Sequence, residues 1–117
     1  MKKVLIVDDE LDILDSIEAV LEIDGYESLR CSDPLKAIQL LKDQKPQLLI
    51  LDVMMPTKSG PEILLEMKAM PEIKNIPCIL MSAGTAISYD QGTYKWDIYM
   101  RKPFDLEDLL SNVKSLI

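Results

Sequence analysis

Short apolar runs alternate along this chain with polar turns and with segments whose apolar residues recur at helical spacing. Apolar runs of this length, bounded by turn residues, predict β-strands. The strands predicted in this way cover residues 3–7, 26–31, 48–52, 76–81 and 98–101. The third and fourth runs are apolar on both faces, which is typical of strands in the middle of a sheet that helices cover on both sides. Strand and helix alternating five times predict a doubly wound parallel α/β sheet.

Helices are predicted between and after these strands, and one of them has weak signals. The first helix covers about residues 10–24 and stops at Gly25, and the third covers about residues 60–70. The second helix follows an N-cap at Asp33, and the last follows an N-cap at Asp105. Their inward positions are predicted to be Leu11, Leu14, Ile17, Val20 and Leu21, then Leu35, Ala37, Ile38 and Leu41, then Ile63, Leu64 and Met67, and finally Leu106, Leu109, Leu110 and Val113. Residues 82–97 contain two glycines, so we expect only a short or irregular fourth helix, around 86–90.

The order of the strands determines which strand ends meet. Right-handed crossovers allow few strand orders, and we expect the flavodoxin-like order 2-1-3-4-5, in which the first and third strands are neighbours. Asp8 and Asp9 follow the first strand and Asp52 ends the third, so we expect the three carboxylates to lie together. Two carboxylates about 4 Å apart repel by roughly 4 kcal/mol at an effective dielectric near 20, so a cation is needed among them. An all-oxygen site with open positions suits Mg²⁺.

Two further side chains are predicted at the same edge of the sheet. Lys102 follows the fifth strand and would supply a positive charge, and Ser82 follows the fourth and would supply a hydroxyl donor. A carboxylate surrounded by a divalent cation, an ammonium group and a hydroxyl can attack a phosphoryl group, because the charge of the product is neutralised. The sequence therefore predicts phosphoryl chemistry on Asp52.

Composition narrows the classes of function. The 117 residues form one domain with a net charge of −7, which argues against direct binding of nucleic acid. The absence of histidine excludes imidazole catalysis and most transition-metal sites. The apolar runs are too short to span a bilayer and no secretory signal is seen, so we expect a cytoplasmic protein with no membrane partner. Cys31 and Cys78 lack metal-ligand spacing and are expected to be buried, reduced thiols.

Four short motifs at the predicted strand ends resemble those of the receiver domain of two-component response regulators. They are VDDE at 7–10, LDVMMP at 51–56 with Gly60 following, MSA at 81–83 and KPF at 102–104. The resemblance covers essentially the whole chain and implies a single receiver domain over residues 1–117. Any one of these motifs is weak evidence, but four of them in the right order are highly specific.

The resemblance assigns roles to the residues at the site. It implies that Asp52 is the phosphoacceptor and that Asp9 binds Mg²⁺ directly, together with Asp52 and the main-chain carbonyl of Met54. Asp8 would act largely through bound water. Lys102 would pair with the phosphoryl oxygens, and the bond between Lys102 and Pro103 would be cis.

The resemblance also implies a switch. Ser82 would move toward the phosphoryl group and Tyr99 would swing into the space that it leaves. The function implied is a phosphorylation-dependent signalling switch and not an enzyme, with at most self-phosphorylation from small donors and self-dephosphorylation. Its partners would be a histidine kinase or histidine phosphotransfer protein and a downstream effector protein or domain, and it would be a monomer or a phosphorylation-induced dimer.

Two alternatives remain open at this point. One is a binding module of the same fold that works without phosphate. The other is a Mg²⁺-dependent phosphatase with an aspartyl-phosphate intermediate, although haloacid-dehalogenase-like enzymes usually carry the nucleophile on the first strand with a second aspartate two residues on, where this chain has Glu10. Met54 and Gly84 lack side chains that could orient an attacking water, which suggests a long-lived phosphorylated state.

The chain departs from the family pattern before the fifth strand. The segment between Ser82 and Lys102 is a couple of residues shorter than usual, and Lys95, Trp96 and Asp97 stand where a glycine-alanine pair is common. Trp96 is either an exposed anchor for a partner or an aromatic that covers a shortened helix.

Overall fold

A parallel sheet of five strands forms the centre of the molecule, which is seen here in a computed structural model that describes residues 1–83 and 89–117. The strands are β1 (Lys3–Val7), β2 (Glu27–Cys31), β3 (Leu48–Asp52), β4 (Cys78–Ser82) and β5 (Ile98–Arg101). They pair in the order β2-β1-β3-β4-β5, so the predicted fold class and strand order are confirmed.

A helix follows each strand, and the last helix, after β5, completes the described part of the fold. In the described residues they are α1 (Leu11–Ile23), α2 (Ala37–Gln44), α3 (Gly60–Lys68), α4 (Gln91–Tyr94) and α5 (Leu106–Leu116), with one turn of 3₁₀ helix (Pro34–Lys36) before α2. The side chains of Asp33 and Asp105 accept hydrogen bonds from the main-chain N–H groups of Leu35 and Glu107, which confirms both predicted caps. No helix in the described ranges has the length and apolar character needed to cross a membrane.

The sheet is buried on both faces because successive side chains of a strand point to opposite sides. On one face, alternate strand residues pack with α2 and α3 in a cluster that includes Leu5, Leu49, Leu51, Leu80, Leu41 and Leu64. On the other face, the residues between them pack with α1 and α5 in a cluster that includes Val4, Ile6, Ile50, Ile79, Leu14 and Val113. All residues of β3 and β4 are buried, whereas the edge strands β2 and β5 are partly exposed. The carboxyl end of β3 is therefore held rigidly between packed layers.

Two of the predicted inward positions are wrong. Leu11 and Leu35 are exposed. Leu11 is the first residue of α1, and Leu35 lies in the 3₁₀ turn, whose side-chain directions differ from those of the helix that follows. A helical period read from sequence does not show which residues of a first turn contact the sheet.

The fourth helix is short, as predicted, but it lies further along the chain than residues 86–90. It begins after Asp90, whose side chain accepts from the N–H of Gly92, and it ends at Lys95, which has a left-handed conformation with φ of 62°. Residues 84–88, including Gly84 and most of the predicted helix, lie outside the described residues. Trp96 is buried against the α2 and α3 side of the sheet, so it is a core aromatic and not an exposed anchor. Cys31 and Cys78 are buried free thiols, as expected.

Candidate functional site

Three carboxylates meet at the carboxyl edge of the sheet. Val7 of β1 pairs with Leu51 of β3, so Asp8 and Asp52 leave neighbouring strands side by side. Oxygen atoms of Asp8, Asp9 and Asp52 all lie within 4.8 Å of one another. Asp8 is fully buried and Asp52 is 3% exposed, whereas Asp9 faces solvent. The predicted meeting of the three residues is confirmed.

Main-chain contacts fix the positions of these carboxylates. The N–H of Asp8 donates to the carbonyl of Cys31, and its Oδ1 accepts from the N–H of Glu10 at 2.9 Å. Beyond Asp52, the N–H of Val53 donates to the carbonyl of Met81 at 2.8 Å, so pairing with β4 continues past the aspartate. Asp8 is thereby tied to β2 and the start of α1, and Asp52 to β4.

Gly60 allows the start of α3 to pack directly against the end of β3. Its N–H donates to the carbonyl of Val53 at 2.9 Å, and a Cβ atom at this position would overlap the main-chain oxygen of Asp52. Only glycine permits so close an approach of two main-chain segments. The glycine that follows the LDVMMP motif therefore has a direct steric role beside Asp52.

Lys102 reaches into the carboxylate cluster from the end of β5. Its Nζ donates to Asp8 Oδ2 at 2.7 Å and lies 3.4 Å from Asp52 Oδ1. Its main-chain N–H donates to the carbonyl of Ser82 at 2.7 Å, and the bond to Pro103 is cis, as predicted. The ammonium group is thus shared between two buried carboxylates.

The charges at the site are incompletely balanced. Burial raises the pKa of Asp52 to about 6, and the negative charge of Asp8 adds to this shift while Lys102 opposes it. Burial by itself would lower the pKa of Lys102, but the hydrogen bond to Asp8 and the charge of Asp52 outweigh it and raise the pKa. One ammonium group therefore does not compensate the carboxylates fully, and a further cation would be stabilised here.

The donor atoms of the cluster suit a hard cation. Asp8, Asp9 and Asp52 supply only carboxylate oxygens, the ligands that Mg²⁺ and Ca²⁺ prefer. Asp9 is exposed, so the cluster is in contact with solvent on that side. Met54, predicted to contribute its carbonyl, lies in the loop after β3 with 75% of its surface exposed.

The two predicted switch residues lie on adjacent strands. Ser82 is the last residue of β4 and is buried, and Tyr99 of β5 pairs with Leu80 of β4. The Tyr99 ring packs on the same cluster as Trp96. Its hydroxyl is buried and has no hydrogen-bond partner within the described part of the chain.

Sequence reasoning missed one charged residue at the site. Glu10 was part of the VDDE motif but was given no role, and its Oε1 lies 3.6 Å from Lys102 Nζ. The only available signal was a third acidic residue after the acidic pair, because contact with Lys102 depends on a side-chain conformation that spacing does not specify.

Comparison with known proteins places the chain in a family. A family model described as the response regulator receiver domain matches residues 4–114. The phosphate regulon transcriptional regulatory protein PhoB of Pseudomonas aeruginosa is 36% identical over 118 residues, covering 99% of this chain and 52% of that protein. Response regulator MprA of Mycobacterium sp. strain KMS is 29% identical over 120 residues, covering 98% of this chain and 50% of that protein. The chain thus spans about half the length of these relatives.

Solved structures give the same result for the fold. The chemotaxis protein CheY4 of Vibrio cholerae has a TM-score of 0.92 and 25% identity, with 100% of this chain and 99% of that chain covered. The response regulator TrrA of Thermotoga maritima, solved in complex with Mg²⁺ and BeF, has a TM-score of 0.89 and 31% identity, with both chains covered completely.

Proposed function

The chain belongs to the response regulator receiver family, and we propose that its residues 1–117 form one receiver domain that is switched by phosphorylation of Asp52 in a two-component phosphorelay. The observation that carries this proposal is the buried Asp52 carboxylate at the end of β3, with Asp8 and Asp9 on one side and Lys102 within 3.4 Å. A purely structural aspartate has no need of a second buried carboxylate, Asp8, and an exposed third, Asp9, beside it.

The chain's own residues account for the transfer step. An Asp52 oxygen attacks the phosphorus of the donor, and the bond from phosphorus to the leaving group breaks as the new P–O bond forms. The attacking form is the ionised carboxylate, which predominates above the pKa of about 6. Lys102 then turns from Asp8 and Asp52 to a phosphoryl oxygen and neutralises part of its charge. Ser82, buried at the end of β4, would donate its hydroxyl to another phosphoryl oxygen.

The carboxylate cluster fits Mg²⁺. Asp9, Asp52 and the main-chain carbonyl of Met54 would hold the ion directly, and Asp8 largely through bound water. When bound, the ion supplies positive charge that offsets the repulsion between the carboxylates and the incoming phosphoryl group. The relative TrrA was solved with Mg²⁺ and BeF, which supports this choice of metal.

Phosphorylation would change the conformation through Ser82 and Tyr99. A Ser82 hydroxyl drawn to the phosphoryl group leaves space beside β4, and Tyr99 on the neighbouring strand is the aromatic that would fill it. Phosphorylation can shift the equilibrium between the resting and the switched conformation only by the difference in the contact energy that the phosphoryl group makes in each. We propose that this alters the surface of α4, β5 and α5, to which a downstream effector protein or domain would bind. The receiver domain itself would be a monomer or a phosphorylation-induced dimer.

The proposed donor is a histidine kinase or histidine phosphotransfer protein. The domain would turn over no other substrate, beyond self-phosphorylation from small donors and self-dephosphorylation. Its net charge of −7 argues that the domain does not itself bind nucleic acid. The relative PhoB is called a transcriptional regulatory protein, but about half of its length lies outside the match.

Intact-mass measurement after incubation with acetyl phosphate and Mg²⁺ tests the proposal. We expect one added phosphoryl group, no addition in Asp52→Asn or with a chelator, and normal addition in Asp43→Asn, a matched change of an exposed aspartate on α2. A folded protein that never gains the group would contradict the proposal.

A further inference from the structure

Glu10 occupies a helix-capping position without capping the helix. It is the N-cap residue of α1, with extended φ and ψ of −89° and 111°, and its side chain makes no capping hydrogen bond. Ser, Thr, Asp and Asn are the residues favoured at this position, because their short side chains reach the free N–H groups of the first turn. The Glu10 side chain therefore does not satisfy a free N–H group of the first turn.

The Glu10 side chain is instead directed at Lys102. Its Oε1 lies 3.6 Å from Nζ, so the lysine faces three carboxylates, Asp8, Asp52 and Glu10. Asp8 and Asp52 are buried, whereas the Glu10 side chain is 62% exposed. Glu10 is thus the outermost of the three negative charges around this ammonium group.

The main chain of Glu10 keeps this charge at the edge of the site. Its N–H donates to Asp8 Oδ1 at 2.9 Å, so the residue cannot move away from the carboxylate cluster without breaking a contact to a buried side chain. Glu10, Lys102 and Ala83 also line one cavity between α1 and the start of α5. A donor molecule approaching Lys102 from solvent therefore meets the negative charge of Glu10.

Given the proposed function, we infer that Glu10 is a specificity-determining residue that selects against small phosphodonors of high negative charge. It repels the incoming anion and competes with it for Lys102. A donor whose phosphoryl group carries a compensating positive charge, as on a protonated nitrogen, is repelled less. This would favour phosphohistidine on a protein over free acyl phosphates.

Two small donors of different charge separate repulsion by Glu10 from a general change in the reactivity of Asp52. Acetyl phosphate is mainly a dianion at neutral pH, and phosphoramidate is mainly a monoanion with a protonated nitrogen. With either donor, an Asp52 oxygen forms the new bond to phosphorus. The bond to acetate or to nitrogen breaks, and acetate or ammonia leaves.

The test compares phosphorylation rates of the wild type, Glu10→Gln and Asp12→Asn. Asp12→Asn is the matched control, because Asp12 is an exposed carboxylate in the first turn of α1 with no ion pair to Lys102. Rates are measured with both donors at saturating Mg²⁺, verified by rates that no longer depend on its concentration.

We expect Glu10→Gln to raise the rate with acetyl phosphate about fivefold and that with phosphoramidate about twofold, as Coulomb energies of one removed charge indicate. The preference between donors then shifts about two- to threefold, and the shift shrinks in roughly 0.5 M salt because screening shortens the range of the repulsion. Asp12→Asn should leave the preference unchanged.

An unchanged donor preference in Glu10→Gln, or an equal shift in Asp12→Asn, would overturn the inference while leaving Asp52 as phosphoacceptor. If the wild type is phosphorylated by neither donor, the proposed function fails and the role of Glu10 fails with it. The two failures are therefore distinguished by the wild-type protein alone.

Discussion

Asp52 is buried in a corner that already contains Asp8, and this arrangement is costly for the resting protein. Its pKa of about 6 means that the fold disfavours the ionised form, the very form needed for attack on phosphorus. Lys102 at 3.4 Å offsets only part of the cost. Placing a nucleophile among like charges lowers the stability of the fold, but the same charges bind a cation and leave a carboxylate free to attack phosphorus.

This cost can be measured as a pH-dependent increase in the free energy of unfolding of the Asp52→Asn variant over that of the wild type. Between the ordinary pKa of 3.8 and about 6, native Asp52 binds more protons than the unfolded chain, so stability falls as pH rises through this window and stays reduced above it. Without metal, we expect Asp52→Asn to raise the free energy of unfolding by at most about 3 kcal/mol above pH 6, less any loss of pairing with Lys102.

Urea unfolding titrations of both proteins, in the presence of a metal chelator and at several pH values, measure that increase in the free energy of unfolding. The advantage of the variant should shrink as pH falls toward 4, and Mg²⁺ should reduce it at neutral pH by stabilising wild-type Asp52 in its ionised form. The exposed Asp43→Asn should show no comparable gain. A variant less stable than the wild type at every pH would contradict the assigned pKa shift.

Met54 bears on the lifetime of the phosphorylated state. Its side chain is 75% exposed beside the site and has no group that could orient an attacking water. We expect Met54→Asn and Met54→Glu to speed dephosphorylation several-fold, followed as loss of the phosphoryl mass after the donor is removed. Leu65→Asn, an exposed apolar-to-amide change on α3, is the control. Unchanged rates in both Met54 variants would refute the expectation.

At the scale of elements, Asp97 joins the segment before β5 to β4. Its Oδ2 accepts from the N–H of Cys78 at 2.8 Å, and its own N–H donates to the Cys78 carbonyl at 2.9 Å. These contacts fasten the start of β4 to the start of β5. Trp96, next to Asp97 in the chain, is buried in the apolar cluster on the α2 and α3 side of the sheet.

Asp97→Ala should therefore destabilise the fold. It leaves the Cys78 N–H without its acceptor in a part-buried position, which costs about 1–3 kcal/mol. Asp97→Asn retains an acceptor oxygen and should recover most of the loss, as judged by thermal or urea unfolding. Equal stability of Asp97→Ala and the wild type would show that the contact contributes nothing.

Elements with strong patterns were predictable, and elements that depend on tertiary contacts were not. The apolar runs and right-handed crossovers left few strand orders, and the flavodoxin-like one among them correctly predicted the order of the strands and the meeting of Asp8 with Asp52. Helix α4 has one turn and contains Gly92, so it carries no periodic signal. The contact of Glu10 with Lys102 joins distant parts of the chain through two flexible side chains, which sequence spacing does not specify.

At the scale of the whole molecule, the site lies where the most deeply packed strands emerge. Apolar clusters on both faces hold β3 and β4 in place, so we expect these strands not to move when the charge on Asp52 changes. An aspartyl phosphate carries about −1.5 to −2 charges where the ionised carboxylate carried −1, in a domain whose net charge is already −7. In the proposed mechanism Lys102 and Ser82 respond to this charge; Ser82 ends β4, and Lys102 lies between β5 and α5 at the edge of the sheet.

The central claim is that Asp52, and neither of its acidic neighbours, receives the phosphoryl group. Borohydride reduction of the phosphorylated protein converts an aspartyl phosphate to homoserine, which peptide mass spectrometry locates by residue. We predict homoserine at position 52 only, formed only when both donor and Mg²⁺ are present. Homoserine at Asp8 or Asp9, or none in a protein that has gained a phosphoryl group, would contradict the account.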